Sequence, residues 1–247
     1  MGEQRDGREE RACYSAELKN ALKLNGTPVA IGIVSEPPQW FKKLRRKTTL
    51  CVLIQNARKG RSFYCSKENI ICRGKFHVGV GNAPIWDAED FLVRREKIVA
   101  SRTAARRMLD LAKVQASESG NFIIFSPLEE SNFQPDVVVF VGTPLQISRI
   151  LFLDAFETGE IGALHREPLC SGVIAMPMVT GQIGVSFLDI SCRSLGRYRP
   201  EEMAIGVPYH RIPAIVGNIE RSVAGTAKSS FLLRILPRVI NSDKSGT

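Results

Sequence analysis

The chain has no C-x-x-C pair, no H-E-x-x-H, no G-x-x-x-x-G-K-[ST] and no G-x-S-x-G. These gaps remove the usual local signatures of zinc ribbons, zinc proteases, P-loop nucleotide sites and hydrolase nucleophiles. Its three histidines, His77, His165 and His210, are too scattered to form a triad or ligand set by spacing. Aromatics make up only 7%, without an RNP-like ladder, which argues against a stacking platform for single strands. No apolar run approaches the length of a membrane span. The opening MGEQRDGREERA is too polar for a signal peptide. A cytoplasmic protein is expected, in a compartment where thiols stay reduced.

What is present is an ordinary globular composition with a basic excess. Of 247 residues, 44% are apolar and 24% charged, and the net charge is +9. That balance supports a sizeable core and favours an anionic partner, but it speaks to association rather than fold.

Periodicity predicts strands at Pro28–Val34, Arg61–Cys65, Phe122–Phe125, Asp136–Val141, Gly172–Met176, Gly184–Asp189 and Met203–Val207. Helices are expected at Cys13–Leu24, Leu50–Arg58, Asp87–Gln115 with a break near Ser101, Leu145–Thr158 and Ile212–Ile219. Thr48 or Thr49 caps the second, with Gly60 ending it; Thr143 caps the fourth, with Pro144 opening it. The interleaving implies an α/β or α+β single domain with a mixed β-sheet flanked by helices. Residues 1–12 read as a disordered polar start, 13–223 as one domain, and 224–247 as an appended tail.

Three motifs have bland explanations. Gly79-Val80-Gly81 begins like a dinucleotide fingerprint, but Pro84 takes the third glycine's place. Gly142-Thr143-Pro144 between strand and helix could bind an anion, though capping alone accounts for it. The basic runs Lys42–Lys47 and Arg94–Arg107 read as solvated faces, or alternatively as contacts for an anion or nucleic acid.

The six cysteines carry the chemistry. Cys13 and Cys65 fall inside a helix and a strand and read as packing residues. Cys51 opens a helix, Cys72 precedes Arg73-Gly74, Cys170 precedes Ser171-Gly172, and Cys192 lies near Gly196. Each of these four sits at an element's end or beside a small residue, where backbone amides can approach sulfur. Four thiolates meet the demand of an iron–sulfur cluster or of tetrahedral zinc. The two stretches that hold them, Leu50–Asn82 and Leu169–Arg199, are therefore expected to meet.

From about Leu18 to Ile219 the chain resembles the DUF169 proteins of archaea and bacteria. The resemblance is carried by Pro28-Val29-Ala30, Cys51 with Ala57 and Gly60, Glu68 with Cys72 and Gly74, and Gly79. It continues through Ser126-Pro127-Leu128, Pro135-Asp136-Val137-Val138, Gly142-Thr143-Pro144, Cys170, Cys192, and Glu202 with Pro208. It implies cysteines at the positions of Cys51, Cys72, Cys170 and Cys192, and not at Cys13 or Cys65. The residues after Cys192, RSLGRYRP, depart from the family's C-x-G-x-R.

Three functions compete. The first is an iron–sulfur protein in redox or cofactor-related chemistry, ligated by those four cysteines, with Arg58, Lys59 and Arg193 balancing its negative charge and a redox partner implied; zinc is the alternative metal. The second is a metal-free thiol enzyme with Cys51 activated at its helix N-terminus. The third is a basic binding module for a small anionic ligand or nucleic acid.

Overall fold

A computed structural model of the chain describes residues 2–82, 87–112 and 120–226. In chain order the elements are α1 (Gly2–Leu22), β1 (Val29–Val34), α2 (Leu50–Arg58), β2 (Phe63–Ser66) and α3 (Gly74–His77). Next come α4 (Ala88–Asp90), running into a π-helical turn at Phe91–Arg95, then α5 (Arg102–Leu111), β3 (Phe122–Pro127), β4 (Val137–Gly142), α6 (Pro144–Asp154) and β5 (Leu164–His165). A second π-turn, Ser171–Ala175, leads into α7 (Met176–Thr180), followed by β6 (Gly184–Ser186), α8 (Ile190–Gly196), β7 (Met203–Pro208), α9 (Ile212–Gly217) and α10 (Val223–Thr226).

The seven strands form one mixed sheet in the order β2-β3-β1-β4-β7-β6-β5. Every pairing is antiparallel except β5 with β6 at one edge. Strand alternation then divides the core into two layers. From β1, Val29 and Ile31 face one layer with Ile123 and Phe125 of β3 and Val137 and Val139 of β4. This layer is roofed by Leu50, Leu53, Ile54 and Ala57 of α2 and by Val173 and Ile174 of the second π-turn. The intervening residues, Ala30, Val138, Phe140, Ile205 and Val207, face the opposite layer, covered by α1, α6 and α9. All the candidate ligand cysteines belong to the first layer; Cys170 and Cys192 are part of it, and Cys51 and Cys72 pack against it.

Several elements differ from the sequence expectation. Gly172–Met176 is helical, not a strand: Ser171–Ala175 forms the π-turn and Met176 begins α7. A short run buried on all sides carries no periodicity to separate strand from helix. The strand predicted at Gly184–Asp189 stops at Ser186, because Asp189 caps α8 by accepting from the Cys192 amide at 2.9 Å. At the other end, α1 begins at Gly2 and takes in most of the residues expected to be disordered. Its Gln, Glu and Arg are good helix formers, and Arg11 fastens it by donating to the Ser131 carbonyl at 3.0 Å. The rest of the appended tail beyond Thr226, residues 83–86 with Pro84, and the expected helix over 113–115 lie outside the described residues. Among the described residues, no helix is long and apolar enough to cross a membrane.

Candidate functional site

Four cysteines reach the site through helix starts or turns. Thr49 is the N-cap of α2, in extended backbone, but its hydroxyl does not cap; it lies 3.0 Å from the Cys51 sulfur. Cys72 sits just before α3, and Gly74 follows it into the helix. Cys170 precedes the second π-turn. Cys192 stands in the first turn of α8, three residues past its Asp189 cap. The Asp189 carboxylate also accepts from the Leu169 amide at 3.4 Å, so one side chain holds the chain at both Cys170 and Cys192.

The four meet. Cys51, Cys72, Cys170 and Cys192 all line a single cavity of about 320 Å³, whose other walls are mostly apolar. The expectation that the two cysteine-bearing stretches come together is therefore fulfilled. Two sulfurs, those of Cys72 and Cys170, each stand 3.1 Å from the point where a Cβ on Gly74 would sit, so the bare glycine makes the space they share. The other two, Cys51 and Cys192, act on each other: each thiol is the largest influence on the other's titration. Cys13 is exposed on α1 and donates to Glu17, while Cys65 is buried in β2, where burial pushes its thiol up to about 12. Both are separate from the cavity; Cys65 packs as expected, whereas Cys13, expected to pack, is exposed.

The electrostatics are uneven. The Cys192 hydrogen bond, helped by Thr49 and the Val52 amide, outweighs burial and lowers Cys51 to about 7. Cys192 is raised in turn by donating that bond and by burial. Burial raises Cys72 against the pull of the Leu50 and Gly74 amides, and raises Cys170 well above the ordinary thiol value against the Ser171 amide. Thus Cys51, Cys72 and Cys170 all have backbone N–H groups facing sulfur, an arrangement that favours the thiolate.

Three carboxylates also line this cavity, and nothing in their spacing singles them out: Glu96, Glu167 and Asp189. Burial, followed by the charge of Asp189, raises Glu96; burial is also the largest cause raising Glu167. Glu167 accepts from Ser186 at 2.7 Å, and Glu96 from Ser191. Asp189 alone had a readable signal, as a cap just before a cysteine-bearing segment. Among the described residues, the one guanidinium on the cavity wall is that of Arg73, whose Cζ lies 5.7 Å from the Phe76 ring centroid. Among the described residues, four thiols and three carboxylates therefore share the wall with one arginine and His77.

Arg58, Lys59 and Arg193 do not line the cavity. Arg58, at the far end of α2, pairs with Glu202 at 2.7 Å, their side chains only 9% and 6% exposed. Lys59 is the exposed C-cap of α2. Arg193 donates to three backbone carbonyls, of Phe187, Arg199 and Glu202. Nor do the four sulfurs surround one point: among the described residues, no group of three or more His, Cys, Asp or Glu could hold a metal ion. The bland alternatives hold elsewhere. Thr143 forms a capping box with Gln146, and Arg94, Arg102 and Arg106 pair with Asp90, Asp87 and Glu89.

The fold and site define an open-sheet α/β protein with a four-cysteine cavity on one face of the sheet. The chain belongs to the DUF169 family, whose model, described as uncharacterised ArCR, matches residues 17–218. It is also 25% identical over 213 residues to the uncharacterized protein MJ0308 of Methanocaldococcus jannaschii, covering 83% of this chain and 91% of that protein. No solved structure matches the chain.

Proposed function

We propose that the cavity holds a thiolate-ligated iron–sulfur cluster, with Cys51, Cys72, Cys170 and Cys192 as its ligands. The observation that carries this reading is selective convergence: four cysteines from separate parts of the chain reach one cavity, and the remaining two do not. The donor set fits the group, since four thiolates are the usual complement and amides facing sulfur stabilise the charged form. A crowd of thiols and carboxylates also calls for a cation, without which most of these sulfurs keep their protons. A single zinc ion suits the arrangement less. Zn–S bonds of ~2.3 Å would draw the sulfurs to roughly 3.8 Å apart around one point, whereas a cluster spreads its ligands.

When bound, such a group supplies one-electron transfer or, at an open position, an electrophilic site. The chain's own part is to exclude water with the apolar wall and to direct amides at sulfur. Glu96 and Glu167, whose carboxyls burial pushes up, stand beside the site. Charge balance then falls to Arg73 and the amides, with Arg58, Lys59 and Arg193 contributing only from a distance.

A second reading is favoured by the lowered Cys51: a metal-free thiol enzyme in which Cys51 is the nucleophile and Cys192 its hydrogen-bonding partner. Iron and acid-labile sulfide analysis on protein purified without oxygen separates the two. Iron and sulfide that are lost in Cys51→Ser, Cys72→Ser, Cys170→Ser and Cys192→Ser, but kept in Cys13→Ser and Cys65→Ser, support the cluster. Zinc without sulfide replaces it with a single-ion site. Colourless, metal-free protein whose Cys51 alone is rapidly alkylated at neutral pH establishes the thiol reading.

A further inference from the structure

The cavity wall carries exposed apolar side chains, and two basic segments run directly into it along the chain. Ile71 and Leu195 line the cavity yet are 54% and 56% exposed. Ile190, on the same helix as Cys192, and Phe91 of the first π-turn are exposed as well. On one side the run Lys42, Lys43, Arg45, Arg46 and Lys47 is exposed, and it leads directly into the cavity wall at Thr49 and Leu50. Its end is fastened beside Ile71: the Thr48 amide donates to Asn69 at 2.8 Å, and the Ile71 amide donates to Thr48 at 3.0 Å. On the other side Arg95 and Lys97 are exposed and flank Glu96, another wall residue.

Among the described residues, none of these seven cations forms an ion pair, in contrast with Arg94, Arg102 and Arg106 of the neighbouring segment. The acids nearby are engaged. Asp87, Glu89 and Asp90 hold those arginines, and Glu96 is bonded to Ser191. Among the described residues, the charge at the mouth is therefore positive and the aliphatic centre is uncovered.

We propose that this rim is the docking surface for an acidic electron-carrier protein, which exchanges single electrons with the four-cysteine site. The inference rests on the iron–sulfur reading above. An apolar centre within a charged ring is the anatomy of a protein interface, and electron-transfer contacts of this kind are small. Nucleic acid would use the same charge, but Ile71, Ile190 and Leu195 give bases no ring on which to stack. The exposed Trp40 lies at the end of the basic run remote in sequence from the cavity wall. In the exchange the carrier would lose one electron and the iron–sulfur group held by the four cysteines would gain it; no bond is made or broken. Helix α8 would conduct, since it presents Ile190 and Leu195 outward and holds Cys192 in the wall.

The test is binding of the full chain, purified without oxygen, to a net-acidic bacterial ferredoxin, followed by calorimetry at about 50 mM and about 200 mM salt. Binding should weaken at least tenfold across that range. Arg45→Glu/Arg46→Glu/Lys47→Glu should weaken it by about tenfold or more at low salt. Ile71→Ser/Ile190→Ser should weaken it with little change in salt dependence. Iron and sulfide are measured on the same samples. Iron-loaded protein that does not bind, or that binds equally after charge reversal, overturns the docking surface. So does a single-stranded oligonucleotide that binds at these lysines and arginines while the ferredoxin does not. Colourless protein that still binds with the expected salt dependence keeps the surface and overturns the cluster instead.

Discussion

The phenol of Tyr198 donates a hydrogen bond to the backbone carbonyl of Cys51 at 2.9 Å, across 147 residues of sequence. It joins the chain just after α8 to the first turn of α2, and so ties the two cysteine-bearing stretches together. Gly196 makes this possible, because a Cβ there would strike the Tyr198 ring. Tyr198→Phe keeps the packing and removes the bond. We expect a loss of about 1 kcal/mol in a denaturant titration, and, where the proposed cluster is bound, a larger fractional loss of iron than of stability.

The Cys51–Cys192 pair sets a pH dependence. In metal-free protein, alkylation of Cys51 by iodoacetamide should rise through a midpoint near pH 7, where its thiolate forms. Cys192→Ala removes the largest cause of that lowering. The midpoint should move up toward the ordinary thiol value of 9.0, and labelling at neutral pH should slow. An unchanged midpoint would mean that Thr49 and the α2 amides do the lowering without Cys192.

Gly74→Ala tests the shared space between Cys72 and Cys170. The added methyl would meet the Leu50 side chain at 2.5 Å and both sulfurs at 3.1 Å. Overpacking of this kind costs roughly 1–3 kcal/mol. We expect the folded protein to persist, by circular dichroism, and, where the proposed cluster is bound, to lose most of the iron and sulfide. Full retention of metal would show that the sulfurs separate at little cost.

The buried Arg58–Glu202 pair should govern acid stability. Burial pushes the Glu202 carboxyl up, but the Arg58 bond and the Arg199 amide pull it further down, so it ends below its ordinary 4.5. A depressed folded value means stability that is present above pH 4.5 and lost as pH falls through the folded value. Arg58→Ala leaves a buried carboxylate without its partner and should cost about 3–5 kcal/mol near neutrality. The variant's stability should fall less steeply below pH 4.5 in an acid titration followed by circular dichroism.

Much of the frame was legible because its signals are local. Val29–Val34 and Val137–Gly142 are apolar, β-rich runs ended by turn chemistry, and both are strands. Thr143-Pro144 opens α6, Ser101 caps α5 where a break was expected, and Thr49 precedes α2. The four cavity cysteines were separable from Cys13 and Cys65 by their neighbours alone. The helical nature of Ser171–Ala175 was hidden, since a wholly buried five-residue run shows no amphipathic face. The carboxylates Glu96 and Glu167 were equally hidden, because only the tertiary fold brings an exposed-looking acid beside sulfur. Charge counting near Cys51 and Cys192 pointed to Arg58 and Arg193, but helix geometry sends the first to the far end of α2, and backbone carbonyls claim the second.

Behind Cys170, main chain lies directly on main chain. A Cβ at Gly172 would collide with the Arg166 carbonyl, at Gly184 with that of Gly172, and at Gly206 with that of Val173. The π-turn is thus bedded on β6 and β7 with no side chain as a spacer. The Cys170 sulfur inherits its position from the sheet itself, like an instrument bolted to its bench without a gasket. Variation in the apolar wall can be absorbed by neighbouring side chains, whereas any side chain at these three glycines would lift a whole turn and carry the sulfur with it.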